Sequence, residues 1–266
     1  MPGPNKITPA QLMRLIGTPD APVIVDVRIP EDVALDPRLI PGSAQVPHTG
    51  FDPAPARFAG HQVVVACQRG KKLSEGVAAL LRVQGIAAEG LEGGTVAWAE
   101  ARLPMVPMAA LPKVSLWVTR HRPKIDRIAC PWLIRRFVDA DARFLFVTPS
   151  EVPGVAERFD ATPFDIDDTY WSHRGDTCTF DTMVTEFGLS TPAMDRLALV
   201  VRAADTDRHD LAPQAAGLLA VSVGLSRMYQ DDLAQLDAGM ALYDAMYRWA
   251  RDGFDEGHDW PAGRKA

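Results

Sequence analysis

The run Val63-Val64-Val65-Ala66, followed at once by Cys67-Gln68-Arg69-Gly70-Lys71-Lys72, is the segment that most narrows what this chain can fold into. Four consecutive apolar residues, three of them β-branched, leave no polar face for water, so the run predicts a strand buried on both sides. Such strands belong to parallel sheets, whose crossover connections lay helices over both faces. Beyond Lys72 the residues Leu73, Val77, Leu80 and Leu81 recur at helical spacing, and Gly85 supplies the usual C-terminal stop. Val23 to Val27 and Ala87 to Leu91 repeat the strand signal, and Thr8 caps a helix over 8–16. The expected fold class is α/β: a parallel sheet with helices on both faces, followed by a helix-rich α+β region.

That arrangement puts Cys67 in a strand-to-helix loop, at the N-terminal end of a helix. Backbone N–H groups there have no intrahelical partner, and the helix dipole is positive at that end. Thiols attack as thiolates, so a loop of amides with Arg69, Lys71 and Lys72 beside the sulfur suits a nucleophilic cysteine and an anionic substrate. Cys67 is therefore the expected catalytic residue, and Gln68, Arg69, Gly70, Lys71 and Lys72 the expected binding loop. The chemistry this favours is sulfur transfer: an anionic sulfur donor such as thiosulfate gives its outer sulfur to Cys67, and a thiol or cyanide removes it. No cofactor is required for that.

Composition restricts the setting. Three cysteines in 266 residues suit a reducing compartment rather than a disulfide framework. The N-terminus shows no signal-peptide pattern and no apolar run is long enough to span a bilayer, so a cytoplasmic protein without a membrane partner is expected. The net charge of −6 is unevenly spread. Residues 1–113 carry 11 Lys and Arg against 10 Asp and Glu, and residues 114–266 carry 17 against 24. An acidic balance argues against nucleic acid as a partner.

Three prolines within Leu103 to Pro112 read as a break between two regions. The expected organisation is a first domain over 1–105, a proline-rich linker over 106–114, a second domain over 115–252 and a tail over 253–266. In the second domain, 115–119 and 144–147 read as strands, and 126–138, 181–187, 192–203, 212–228 and 231–251 as helices. Six cations and one acid fall within 114–136. Arg120, Arg122, Lys124 and Arg127 sit before or at a helix start, where the dipole disfavours cations, so they form a candidate anion site. Pairing with the domain's surplus carboxylates, such as Asp205, Asp207 and Asp210, is the competing and favoured expectation. Cys130, His173, Cys178, Asp181, Asp205 and His209 are metal-ligating types whose spacing matches no compact zinc pattern. Structural roles are expected for them, and the metal content of this domain stays open.

Two resemblances add to this reading. Val25-Asp26-Val27-Arg28, Ile40-Pro41-Gly42-Ser43-Ala44, the Cys67 to Lys72 loop, and Leu91-Glu92-Gly93-Gly94-Thr95-Val96-Ala97-Trp98 occur in the order found in rhodanese domains. The resemblance implies an α/β sulfurtransferase domain with Cys67 as nucleophile, loop amides cradling the sulfur, and Asp26 and Arg28 as supports. Residues 117–137, Cys178-Thr179-Phe180-Asp181, Val201 to Thr206 and Tyr243 to Tyr247 resemble the C-terminal domain of bacterial chromate-resistance proteins. This implies a link to chromate or sulfate, which share charge and tetrahedral shape. A sensor of chromate or sulfane sulfur, without multiple turnover, is the alternative to an enzyme.

Overall fold

The computed structural model describes residues 5–51, 58 and 60–257. Part of the expected C-terminal tail, residues 258–266, lies outside them. The first half is a five-stranded, wholly parallel sheet built from β1 (Lys6–Ile7), β2 (Val23–Asp26), β4 (Ser43–Gln45), β5 (Val63–Ala66) and β6 (Ala88–Leu91), in the order β1-β6-β5-β2-β4. The Val63 to Ala66 run forms β5 at its centre, paired with β2 on one side and β6 on the other.

Alternation along these strands feeds two separate cores. Val25, Val27, Val63, Val65 and Cys67 point to one face, where Val77, Ala78 and Leu81 of α3 (Lys72–Val83) cover them. Ile24, Val64, Ala66 and Leu91 point to the other, where they join Leu12 of α1 (Pro9–Leu15) and Trp98 of α4 (Gly94–Glu100). Helix α1 begins with a capping box, Thr8 accepting from the Gln11 amide and the Gln11 side chain accepting from the Thr8 amide. Helix α2 (Pro30–Leu35) is short and buries no residue. A two-stranded antiparallel patch joins β3 (Arg38–Leu39) to β7 (Val106–Pro107).

That last pairing changes how the proline-rich stretch is understood. It does not run free between the halves. Met105 and Val106 are buried, Trp98 Nε1 donates to Pro104 O at 2.8 Å, and the Met108 amide donates to Pro37 O at 3.0 Å. The stretch supplies apolar side chains as well as proline, and those side chains pay for its ordering.

The second half has a three-stranded parallel sheet in the order β10-β8-β9, from β8 (Leu116–Arg120), β9 (Arg143–Val147) and β10 (Thr162–Pro163). Its helices are α5 (Asp126–Leu133), α6 (Val152–Phe159), α7 (Thr179–Glu186), α8 (Pro192–Asp205), α9 (Ala215–Met228) and α10 (Asp232–Arg248). Helix α5 runs into a π-helical turn over Ile134–Val138, and α10 into another over Trp249–Gly253. Along α10, Leu236, Tyr243 and Tyr247 are buried, while Leu233 is 47% exposed.

The two halves share a core. One cluster of buried side chains contains Leu12, Ile24, Val64 and Trp98 together with Trp117, Trp132, Phe137 and Tyr247. Gly17 marks the contact: its φ is +79, and a Cβ there would lie 2.9 Å from a ring carbon of Phe137 and of Tyr247. The Gly42 amide donates to Phe137 O at 2.6 Å, and Arg251 Nη1 donates to Arg14 O at 3.0 Å. Among the described residues no helix is long and apolar enough to cross a membrane.

Candidate active site and an acidic histidine cluster

Cys67 follows β5 directly and is 5% exposed. Its Sγ lies 3.2 Å from Ser74 Oγ, in the first turn of α3. Ser74 also donates to Lys71 O at 3.1 Å, so its hydroxyl can serve that carbonyl or turn to the sulfur. The loop is fixed from beneath. The Thr95 amide donates to Cys67 O and the Val96 amide to Gln68 O, both at 3.0 Å, so the first turn of α4 ties down the outgoing strand end. Two glycines permit that approach. Gly70 and Gly94 have φ of +62 and +65, and a Cβ on Gly94 would overlap Cys67 O and lie 2.5 Å from Gly70 N. Lys6 Nζ donates to Gly70 O at 2.8 Å and pairs with Glu75.

Around this frame Gln68 is half-buried and Gly70 buried, whereas Arg69, Lys71 and Lys72 are exposed. None of the three cations pairs with a carboxylate among the described residues. Their charge is thus left for solvent or a ligand. Asp26 and Arg28 are engaged with each other. They form a buried ion pair, Nη2 to Oδ2 2.7 Å, with side chains 2% and 1% exposed. The Arg28 guanidinium goes on to donate to Asp36 O and Arg38 O. Its role is to hold the 36–39 segment against the end of β2.

In the second half the four cations of the candidate anion site do not make a common cup, and two of them pair with a carboxylate, as the favoured expectation has it. Arg120 and Arg127 both meet Asp165 Oδ2, at 3.0 and 3.4 Å. Arg122 donates to Tyr229 O at 2.9 Å and also to Ser226 O, at the C-terminal end of α9, where a cation suits the dipole. Lys124 is exposed and pairs with no described carboxylate. The acid differs from those named in the sequence: Asp165, in a loop 38 or more residues away, neutralises Arg120 and Arg127 in place of Asp205, Asp207 or Asp210. Asp210 pairs with Arg208.

Of the six metal-ligating types noted in the sequence, the fold brings His173 and Asp205 together and adds Asp126 and Asp165 beside them. His173 Nε2 lies 3.2 Å from Asp205 Oδ2, 3.5 Å from Asp126 Oδ2 and 3.4 Å from Asp165 Oδ1. Asp126 opens α5, Asp205 closes α8, and His173 and Asp165 come from the loop region ahead of α7. Asp126 is 1% exposed and accepts from the Thr179 amide at 2.6 Å, the His173 ring is 40% exposed, and Asp205 is partly buried. Burial first, and then the neighbouring Asp205 and Asp165, push the Asp126 carboxyl up to about 7 against the pull of His173. Contacts with Asp126, Asp165 and Asp205 push the His173 imidazole up to about 12. Burial opposes ionisation of Asp165, yet His173, Arg127 and Arg120 outweigh it and hold that group below the usual carboxylate range.

The other ligand types are placed differently. Cys130 and Cys178 are fully buried, and burial with nearby carboxylates pushes both thiols well above their ordinary value. Asp181 is held bidentately by Arg202, and His209 lies beside Asp207. Asp126 stands inside the basic segment, where its single negative charge reads in the sequence as an exception rather than a ligand. A cleft of about 690 Å³ opens where the halves meet, lined among others by Gly42, Ser43, Lys113, Arg135 and Arg136. Neither Cys67 nor His173 lines it.

Comparison with known proteins accounts for both halves. The family described as ChrB, C-terminal domain, matches residues 117–250, half of the chain. The chain belongs to this family. Ahead of its ChrB-type domain it carries a rhodanese-like domain, matched over residues 8–101. Protein ChrB of Cupriavidus metallidurans is 34% identical over 132 residues, 49% of this chain and 39% of that protein, so the match spans about two fifths of the relative's length. Among solved structures, a rhodanese-like domain protein from Staphylococcus aureus is 27% identical, with a TM-score of 0.29, and covers 35% of this chain and 90% of its own. A rhodanese-related protein from Thermoplasma volcanium is 23% identical, with a TM-score of 0.33, over 38% and 97%. A thiosulfate sulfurtransferase from Pseudomonas aeruginosa is 23% identical, with a TM-score of 0.34, over 55% and 30%.

Proposed function

We propose that the rhodanese-like domain is a sulfurtransferase with Cys67 as its nucleophile, joined to a ChrB-type domain. The observation that carries this is the Cys67 loop: a cysteine at the end of the central strand, at the start of a twelve-residue helix, with exposed cations that no described carboxylate neutralises. The geometry fits an anionic sulfane donor such as thiosulfate. In the first step the Cys67 thiolate attacks the outer sulfur. The donor's S–S bond breaks, sulfite leaves with the bonding electron pair, and Cys67 holds a persulfide. In the second step cyanide or a thiolate attacks the outer persulfide sulfur, forming thiocyanate or a new persulfide, and the Cys67 thiolate leaves. Both halves conserve electrons and need no external oxidant.

Each protein group has a distinct part. Loop N–H groups and the α3 N-terminus favour the anions that appear at Cys67. Arg69, Lys71 and Lys72 draw a charged donor to the loop. Ser74 Oγ, within hydrogen-bond distance of the sulfur, can donate to the thiolate released in the second step. Gln68 is the half-buried side chain next to the nucleophile.

The test is intact-mass analysis after thiosulfate exposure, with turnover measured as thiocyanate formed from cyanide. The wild-type chain should gain one sulfur atom on Cys67 and Cys67→Ser should gain none and lose turnover. Absence of the adduct in the wild type, or full turnover in Cys67→Ser, would refute the assignment.

A further inference from the structure

We infer that the ChrB-type domain holds a divalent first-row transition-metal ion, with Asp126, His173 and Asp205 as its protein ligands. This stands on the second half alone and does not depend on sulfur transfer at Cys67.

The geometry is wrong for a set of hydrogen bonds and right for a coordination shell. One ring N–H carries one proton, yet three carboxylates surround His173 Nε2. Two of the separations, 3.4 and 3.5 Å, are long for an N–H···O bond, which prefers roughly 2.7–3.2 Å. Ligand atoms bound about 2.0–2.2 Å from a common ion would instead sit roughly 3.0–3.5 Å apart. One oxygen each from Asp126 and Asp205, with one His173 nitrogen, lie within 4.8 Å of one another.

Charge points the same way. Asp165 has its own cations, Arg120 and Arg127. Asp126 and Asp205 have neither a lysine nor an arginine partner among the described residues, although Asp126 is 1% exposed and aimed into the shared space. A buried carboxylate without such a partner is costly. A divalent ion with a neutral imidazole balances both carboxylates, which a single imidazolium does not.

The frame also holds the ligands in place before any ion arrives. The Asp126 carboxylate is fixed by the Thr179 amide at the start of α7. The turn before it is clamped by Gln235 Nε2 donating to Pro123 O at 2.5 Å and by Tyr243 OH donating to Ile125 O at 2.9 Å. Ile125, buried and β-branched, takes a φ of +44, a conformation such residues rarely adopt. The donor set is one imidazole with carboxylates and no thiolate, which suits manganese, iron or zinc in the divalent state. Calcium prefers an all-oxygen shell and soft copper a sulfur one. The half-exposed His173 edge leaves the remaining coordination positions to water.

Manganese(II) is the probe of choice, because bound ion loses the six-line electron paramagnetic resonance spectrum of the free ion, and thiols compete poorly for it. Zinc(II), read by metal analysis after dialysis, is the second probe. Full-length chain stripped with a chelator should take up one equivalent of at least one of them and gain thermal stability as it does. Asp205→Asn, at the partly exposed edge of the site, should keep the fold by circular dichroism and weaken binding on the order of 100-fold, with Asp126→Asn and His173→Gln behaving alike. Failure of both ions to bind at one equivalent, or equal binding by the folded Asp205→Asn chain, would overturn the assignment.

Discussion

Gly94→Ala is the sharpest probe of how the rhodanese-like domain supports its cysteine. Two costs fall on this position. The backbone is left-handed, with φ of +65, which costs a non-glycine residue roughly 1–2 kcal/mol. The new methyl would overlap Cys67 O and lie 2.5 Å from Gly70 N, and both are backbone atoms with no side-chain freedom to give way. Overpacking of that kind typically costs about 1–3 kcal/mol. The sum is roughly 2–5 kcal/mol. Gly85→Ala is the matched control: φ is +77, but nothing lies within 4 Å of its Cβ, so only the conformational cost applies. The pair isolates the contact between the α4 turn and the cysteine loop. Thermal unfolding followed by circular dichroism reads the stability, and cyanide-dependent sulfur release reads the loop. Gly94→Ala should be less stable than Gly85→Ala by about 1–3 kcal/mol and should lose sulfur transfer, because the only relief is to push the Cys67 loop outward. Equal stability of the two variants, with full turnover in Gly94→Ala, would refute the idea that α4 holds the nucleophile.

Three further outcomes follow. Asp26→Asn removes the charge from a pair whose side chains are 2% and 1% exposed, leaving Arg28 buried without its carboxylate; a loss of about 3–5 kcal/mol is expected in denaturant titration, against less than 1 for a surface pair. Replacing Lys71 and Lys72 together by Gln should raise KM for thiosulfate about 2–5-fold with kcat nearly unchanged, and the difference should shrink in high salt; an unchanged KM at low ionic strength would show that these cations do not attract the donor. Gly17→Ala drives a methyl against Phe137 and Tyr247, so it should lower the thermal midpoint monitored at the ChrB-type domain's aromatic core although the change lies in the other domain; a midpoint equal to wild type would mean that the halves do not share that core.

The sheet was legible because its signals are local. Val63 to Ala66 can hardly be anything but a central strand, and the helix after it is written in the spacing of Val77 and Leu81. The short edge strands, Lys6–Ile7 and Ser43–Gln45, left no such trace. Two or three residues set no periodicity, and their pairing is imposed by the strands they join. Helix α6 was missed for a related reason: Val152 is its one buried side chain, so it carries little of an apolar stripe. At the site, Cys67 and its cations were visible as one contiguous segment. The Asp126, His173 and Asp205 cluster was not, because its members are separated by 47 and 32 residues of chain and meet only when α5, α7 and α8 pack. Distant carboxylates cannot be assigned to arginines by counting charge, which is why Asp165 went unrecognised as the partner of Arg120 and Arg127.

The central sheet is a party wall. Side chains that alternate along Val63 to Ala66 belong to different rooms: one contains the thiol, and the other opens into the aromatic interior of the neighbouring domain. Ile24, Val64 and Trp98 of the rhodanese-like domain belong to one continuous cluster of buried side chains with Trp117, Trp132 and Tyr247 of the ChrB-type domain. Any change at Cys67 therefore takes place one peptide thickness from the face that packs against the other half.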